Sequence, residues 1–156
     1  MWLKRQWSEH PNVQGRSVAA QGVSFVLSEV KLGIVAATIS PHLVRAMGAR
    51  QAARYMLTAE KFDTAKAAQL GLVHEVVGAE ALDAESARLT RHLLAASPAA
   101  LAATKRLLAD VVETPMDDVL LAATAKCIAD ARISPEGREG IAAFLEKRSP
   151  HWAPKQ

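Results

Sequence analysis

Glu29 is the residue whose surroundings best suit acid–base chemistry. It follows Leu27 and Ser28 at the end of an apolar stretch, with Val30 directly after it and Leu32 three residues after it. A carboxylate that is partly desolvated at such a place suits proton transfer near neutral pH. The simpler interpretation is a glutamate on the solvent face of a strand, because charged side chains are mostly exposed. Composition alone favours the simpler interpretation.

A second candidate site is the segment Thr38-Ile39-Ser40-Pro41, which is predicted to open a helix. Backbone N–H groups at a helix start lack partners inside the helix, so they can receive an anion or a polarised carbonyl. Ser40 offers a simpler interpretation, since a serine before proline typically caps a helix with its hydroxyl oxygen. The residues alone favour capping.

A third candidate is the run Phe144-Leu145-Glu146-Lys147-Arg148, which ends the last predicted helix. Phe144 and Lys147 are three residues apart and therefore share a helix face, where they could form an anion site. Basic residues at a helix C-terminus also complement the helix dipole. The dipole interpretation is favoured until another feature indicates a ligand.

Other kinds of site lack support in the sequence. The five histidines are far apart, and there is no CxxC pair, so no metal site is predicted. Cys127 falls on an apolar helical stripe, which favours a small core residue over a nucleophile. Neither a GxGxxG nor a GxxxxGK[ST] phosphate loop is present. These patterns do not indicate a nucleotide enzyme of either common class.

The elements that must position these residues are short strands followed by helices. A strand is predicted near 24–27, an extended stretch after Glu29, and a second strand over 72–77. Helical periodicity and breakers predict helices over 41–47, 49–57, 64–70, 80–96, 98–113, 115–132 and 135–147. Four hydroxyl–proline pairs are predicted to cap helices: Ser40-Pro41, Ser97-Pro98, Thr114-Pro115 and Ser134-Pro135.

Hydrophobic periodicity and predicted secondary structure divide the chain into three segments. Residues 1–21 show neither helical nor strand periodicity and are predicted to be irregular. Residues 22–78 mix strands and helices, and residues 79–156 are predicted to be helical throughout. The stripe expected to face the core of the 115–132 helix comprises Leu120, Ala123, Cys127, Ile128 and Ala131.

Composition limits the possible partners and compartments. The 156 residues carry a formal net charge of +3, with 19 basic residues spread among 16 acidic ones, so nucleic-acid binding is not predicted. No apolar run approaches the ~20 residues of a membrane span. A lone cysteine and a start without a signal sequence predict a cytoplasmic protein.

Several runs occur in an order that is typical of one protein family. They are Ser28-Glu29-Val30-Lys31-Leu32-Gly33-Ile34-Val35, Ala37-Thr38-Ile39-Ser40-Pro41, Arg45-Ala46-Met47-Gly48, Tyr55-Met56-Leu57-Thr58-Ala59-Glu60-Lys61-Phe62, Ala65-Lys66-Ala67-Ala68-Gln69-Leu70-Gly71-Leu72-Val73 and Glu139-Gly140-Ile141-Ala142-Ala143-Phe144-Leu145-Glu146-Lys147-Arg148-Ser149-Pro150. Over about residues 22–152 the chain resembles the C-terminal half of the enoyl-CoA hydratase/isomerase (crotonase) family. The Ala37–Pro41 variant is similar to that of methylglutaconyl-CoA and carboxygeranoyl-CoA hydratases.

The resemblance implies an α-rich α/β fold, a partial crotonase-like ββα spiral followed by a helical oligomerisation region that forms trimers or hexamers. It implies an acyl-CoA substrate, with coenzyme A as part of that substrate and no separate cofactor. By position, Glu29 resembles the second of two catalytic glutamates. Leu32 and Gly33 resemble the wall beside the acyl chain, and Phe144 and Lys147 resemble residues near the adenine and phosphates of coenzyme A.

The sequence also departs from the family pattern. Two backbone donors that hold the thioester oxygen, and the first glutamate, are expected before residue 22, but residues 1–21 match neither segment. Ala36 stands where proline is common. The sequence therefore predicts a truncated chain and leaves two hypotheses. One is a hydratase or isomerase that uses Glu29; the other is an inactive fragment that self-associates or pairs with full-length crotonase-family subunits.

Overall fold

The computed structural model describes residues 16–112 and 114–154. Its strands are β1 Val18–Ala20, β2 Ser24–Phe25, β3 Phe62–Asp63 and β4 Glu75–Val77. Its α-helices are α1 Ser40–Thr58, α2 Thr64–Gln69, α3 Leu82–Leu94, α4 Pro98–Val112, α5 Asp118–Ile133 and α6 Pro135–Leu145. Two 3-10 turns, Glu29–Leu32 and Ala79–Ala81, complete the set. The predicted α-rich α/β class is confirmed.

The chain divides into two compact units, one ending at Ser86 and the other beginning at Ala87. All four strands lie in the first unit, and β4 is followed only by helical elements. Strand β4 ends at Val77, whereas the two units divide after Ser86, and the division at residue 78 stays a prediction. Within residues 16–112 and 114–154, no helix combines the length and apolar character that a bilayer crossing requires.

Two small sheets frame the first unit. Strand β1 runs parallel to β4, with Val18 opposite Glu75, and β2 runs antiparallel to β3, with Phe25 opposite Phe62. Tyr55 and Phe62 belong to the buried cluster, and their ring centroids lie 4.4 Å apart. The core is built from one face of α1, from Phe62 on β3, and from Ala67 on α2 with the residues that follow it, Leu70, Leu72 and Val73.

The structure corrects two predictions for this unit. Val18–Ala20, inside the segment predicted to be irregular, forms β1, while residues 1–15 lie outside the described residues. The stretch after Glu29 is a 3-10 turn rather than an extended segment. β-Branched residues suggested extension there, but the left-handed Gly33 (φ 71°) closes a turn instead.

Helix α1 contains the break that the sequence predicted at Gly48. The residue has φ 77° and ψ 154°, so the element consists of two helical pieces that meet at a kink. This backbone region is accessible essentially to glycine alone. The predicted helices over 41–47 and 49–57 are therefore confirmed as two pieces.

Two of the four predicted hydroxyl caps are confirmed. The Ser97 hydroxyl accepts from the Ala100 N–H at 3.0 Å, and the Ser134 hydroxyl accepts from the Gly137 N–H at 3.0 Å. Ser40 and Thr114 do not cap, because each hydroxyl donates to a carbonyl earlier in the chain. Asp117 caps α5 instead and accepts from the Leu120 N–H at 2.9 Å.

The second unit is a set of helices with few buried side chains. Among its described residues, Ala143 is the one hydrophobic residue in the buried class. Leu120, Thr124, Cys127 and Ala131 form the half-buried stripe of α5. The prediction that Ala123 and Ile128 belong to this stripe was wrong, because Ala123 is exposed and Ile128 is 67% exposed. Helical spacing alone does not fix the direction of the inner face.

Candidate active site

Glu29 opens the 3-10 turn and is half-buried. The turn is closed by backbone hydrogen bonds from the Gly33 N–H to the Val30 carbonyl (3.3 Å) and from the Ile34 N–H to the Glu29 carbonyl (3.1 Å). Leu27, two residues earlier, is buried in the core at 8% exposure. The backbone that carries the carboxylate is therefore anchored on both sides.

A hydrogen bond to the C-terminal end of helix α1 also holds this turn. The Lys31 ammonium donates to the Ala59 carbonyl at 3.4 Å, where α1 ends. Ala59 itself has a left-handed backbone (φ 51°) and donates its N–H to the Tyr55 carbonyl at 3.1 Å. Tyr55 is 2% exposed, so the turn contacts the end of a helix that is packed into the core.

An open apolar surface lies beside Glu29. Leu32 is 71% exposed, and a Cβ added to Gly33 would meet nothing within 4 Å. Ile34 and Val35 continue this surface at 50% and 76% exposure. The structure thus brings three of the predicted site residues, Glu29, Leu32 and Gly33, onto one turn with room for an apolar ligand.

The start of α1 is not built as an anion site. The Ser40 N–H donates to the Ala36 carbonyl at 3.0 Å, and the His42 and Leu43 N–H groups both donate to the Ile39 carbonyl at 3.1 Å. Pro41 has no N–H. Residues 40–43 therefore offer no unused backbone donor.

Phe144 and Lys147 lie in the second unit, where α6 ends. Phe144 is 81% exposed, and Lys147 adopts φ 54°. The Lys147 N–H donates to the Phe144 carbonyl at 3.2 Å, and the Arg148 N–H donates to the Ala143 carbonyl at 3.0 Å. This pair of bonds is the Schellman arrangement that ends many helices. It presents both predicted site residues to solvent.

An ion pair next to Lys147 was not predicted from the sequence. The Arg148 guanidinium donates to both carboxylate oxygens of Glu139, at 2.7 and 2.9 Å, and its Nε donates to Glu146 at 2.6 Å. The hydrogen bond from Arg148 lowers the pKa of Glu139 to about 2, assisted by the His151 N–H. Glu139 and Arg148 are nine residues apart, a spacing that does not bring side chains together on a helix. The turn after α6 brings them together, and the sequence alone did not predict it.

A second contact outside the sequence predictions ties β1 to β4. The Ser17 N–H donates to His74 Nδ1 at 3.0 Å, and the Ser17 hydroxyl donates to the Leu72 carbonyl at 3.0 Å. His74 therefore helps to set the strand register and is not free for chemistry at Nδ1. Among the described residues, no three His, Cys, Asp or Glu side chains group as metal ligands.

The family follows from the extent of the sequence match. Residues 16–155 match the profile of the family described as enoyl-CoA hydratase/isomerase. The chain belongs to this family. The resemblance stated from the sequence runs is thereby confirmed at the family level, and the crotonase fold with it.

Relatives with known structures support the assignment. An enoyl-CoA hydratase from Shewanella pealeana superposes with a TM-score of 0.83 at 46% identity, covering 88% of this chain and 51% of that one. An enoyl-CoA hydratase/isomerase from Marinobacter aquaeolei superposes with a TM-score of 0.85 at 35% identity, covering 91% of this chain and 54% of that one.

A curated relative gives the same picture. A putative enoyl-CoA hydratase of Thermus thermophilus is 36% identical over 127 residues, covering 80% of this chain and 49% of the relative. This chain thus spans about half the length of the relatives that it matches. The family assignment concerns the shared half, which carries Glu29, Leu32, Gly33, Phe144 and Lys147.

Proposed function

We propose that this chain supplies the C-terminal half of an acyl-CoA site and that Glu29 acts there as an acid–base group in the hydration of a 2-enoyl-CoA. The observation that carries the proposal is the position of Glu29. It is half-buried on a turn fixed to helix α1, and it lies beside the exposed apolar surface of Leu32. A positioned carboxylate next to exposed apolar side chains suits proton transfer to or from an acyl chain.

The proposed step moves one proton through Glu29. In hydration, the water oxygen bonds to the β-carbon, the α-carbon gains a proton, and the Cα=Cβ double bond is consumed. The water loses one proton as its oxygen bonds to the β-carbon. The Glu29 carboxylate would either accept this proton or, when protonated, donate the proton that the α-carbon gains. Isomerase chemistry needs less, because a single carboxylate can remove a proton from one carbon and return it to another. No residue of this chain is assigned to holding the thioester oxygen.

The coenzyme A part of the substrate is assigned to the end of α6. Phe144 offers an exposed aromatic face for the adenine, and Lys147 offers an ammonium for the phosphates. A branched acyl group, as in methylglutaconyl-CoA or carboxygeranoyl-CoA, is the proposed substrate class. A mevalonyl-coenzyme A hydratase of Aspergillus fumigatus, 30% identical over 141 residues, supports an acyl-CoA hydratase but leaves the acyl group open. The proposal needs no separate cofactor. A cytoplasmic location is proposed separately, because the sequence has a single cysteine.

Turnover of crotonyl-CoA tests the proposal. We expect the purified chain to hydrate crotonyl-CoA and Glu29→Gln to lower the rate at least ~100-fold, the usual contribution of a positioned acid–base group. Glu80→Gln removes the same charge at an exposed position of the same unit and should leave the rate unchanged. Equal rates for wild type and Glu29→Gln would remove Glu29 from the mechanism.

A second candidate function is self-association without catalysis. Large apolar side chains of the second unit are exposed, among them Met116 at 86%, Val119 at 77% and Ile128 at 67%. Exposed apolar surface of this kind marks interaction sites. Further copies of this chain, as a trimer or hexamer, are the proposed occupants, and full-length family subunits are the alternative partners. A folded sample that associates but does not turn over crotonyl-CoA would favour this candidate.

A further inference from the structure

Lys147 has a backbone conformation that its side chain disfavours. It follows the C-cap residue Glu146 of α6 and has φ 54°. At this position of a Schellman turn glycine is the usual residue, because a Cβ makes the left-handed conformation costly. A lysine here therefore needs both a force that holds the turn and a reason for keeping the side chain.

The turn is held by contacts of the residues that follow Lys147. Arg148 directly follows Lys147 and is gripped by both carboxylate oxygens of Glu139 from the middle of α6. The Glu139 side chain is only 20% exposed, and it also accepts from the His151 N–H at 3.0 Å. Trp152 then packs over Gly140, and its indole N–H donates to the Ala95 carbonyl at 3.3 Å.

Complementing the helix dipole does not explain the lysine. Arg148 already places a cation at the end of α6, and a glycine at position 147 would relieve the backbone without removing that cation. Strained non-glycine residues of this kind concentrate at ligand sites.

We propose that the Glu139–Arg148 ion pair is a positioning device, which holds Lys147 in the left-handed conformation so that its ammonium and the Phe144 ring serve one ligand. The ligand is a phosphate-bearing nucleotide, the coenzyme A end of the substrate, and to this extent the inference rests on the proposed function. Glu139 and Arg148 are positioning residues; Lys147 alone is expected to contact the phosphate.

The direction in which Glu139→Gln changes the affinity for coenzyme A distinguishes a positioning role from a purely electrostatic one. Glu139→Gln removes a negative charge near the site, so electrostatics alone predicts tighter binding of an anion. Positioning predicts the opposite, because the freed turn lets Lys147 leave its orientation. We expect Glu139→Gln to weaken coenzyme A binding about fivefold and Lys147→Gln to weaken it about tenfold, as measured by calorimetry on the full chain.

A double-mutant cycle excludes a merely structural effect. If Glu139 acts through Lys147, the double variant binds about tenfold more weakly than wild type, not the roughly fiftyfold expected for independent effects. Lys105→Gln, an exposed lysine on α4, is the matched charge control and should leave the dissociation constant unchanged. Tighter binding by Glu139→Gln, or a roughly fiftyfold loss in the double variant, would overturn the proposal.

The restraint of the Lys147 backbone by Glu139 can be tested without a ligand, by thermal denaturation. Lys147→Gly should raise Tm by about 2–4 °C in the wild-type background and by less in the Glu139→Gln background, where the turn can relax. Equal gains, or no gain, would overturn the restraint. Absence of coenzyme A binding by wild type, with the Tm pattern intact, would overturn the coenzyme A assignment of the proposed function while supporting the restraint.

Discussion

At the scale of single residues, the electrostatics of Glu139 give the clearest expectation. Its pKa falls to about 2 because Arg148 and a backbone N–H bind the charged form. A carboxyl group whose pKa is lower in the folded than in the unfolded chain adds stability above its unfolded pKa of about 4.3. That stability is lost as the pH falls through the folded value.

We therefore expect the Tm advantage of wild type over Glu139→Gln to be constant above about pH 5 and to shrink between about pH 4 and pH 2. Thermal denaturation across this range measures it, and carboxyl groups common to both proteins cancel in the difference. An advantage that stays constant down to pH 2 would show that Glu139 gains nothing from its charge in the fold.

Site residues were predictable from the sequence to the extent that a linear motif contained them. Glu29, Leu32 and Gly33 belong to one run, and the structure places them on one turn. The Glu139–Arg148 contact and the Ser17–His74 contact were not predictable, because both depend on how the chain turns between distant positions. The catalytic and binding roles of the predicted residues stay predictions.

At the scale of elements, the ends of helical segments at glycines were predicted better than the bounds of strands. Gly48 and Gly71 end helical segments where the sequence placed them, because a left-handed or otherwise glycine-specific backbone leaves a clear signature. Strands were predicted too long: 24–27 contains only Ser24–Phe25, and 72–77 contains only Glu75–Val77. Short strands are defined by their partners, which a single sequence does not name.

Gly48 should be the more sensitive of two open glycine positions. A Cβ would meet nothing within 4 Å at Gly48 or at Gly33, so the cost of alanine at either position is backbone strain alone. Gly33 (φ 71°, ψ 20°) lies in the left-handed region, where replacing glycine by alanine costs about 1 kcal/mol of stability. Gly48 lies in a backbone region that essentially only glycine adopts.

We expect Gly48→Ala to lower the free energy of unfolding by roughly 1–3 kcal/mol and Gly33→Ala to lower it by about 1 kcal/mol. Denaturant unfolding of the two variants beside wild type provides the comparison. A stabilised Gly48→Ala would mean that α1 runs through residue 48 as one continuous helix, and the kink would then be wrong.

At the scale of the whole molecule, apolar exposure in the second unit predicts association. We expect sedimentation velocity to show species larger than one chain, and Ile128→Glu, which places a charge on exposed apolar surface of α5, to shift the chain toward smaller species. Ala122→Glu adds the same charge to α5 at an exposed alanine and serves as the control. A monomeric wild type would contradict the second candidate function, because the exposed apolar side chains would then not mark a self-association surface.

The central claim is that Glu29 transfers a proton to or from an acyl-CoA. Its most direct test is the reaction of crotonyl-CoA with the chain in D₂O, followed by mass spectrometry and NMR of the product. The account predicts a 3-hydroxyacyl-CoA with deuterium at the α-carbon from wild type, and almost none from Glu29→Gln in the same time. Deuterated product formed equally fast by both proteins, or by neither, would contradict it.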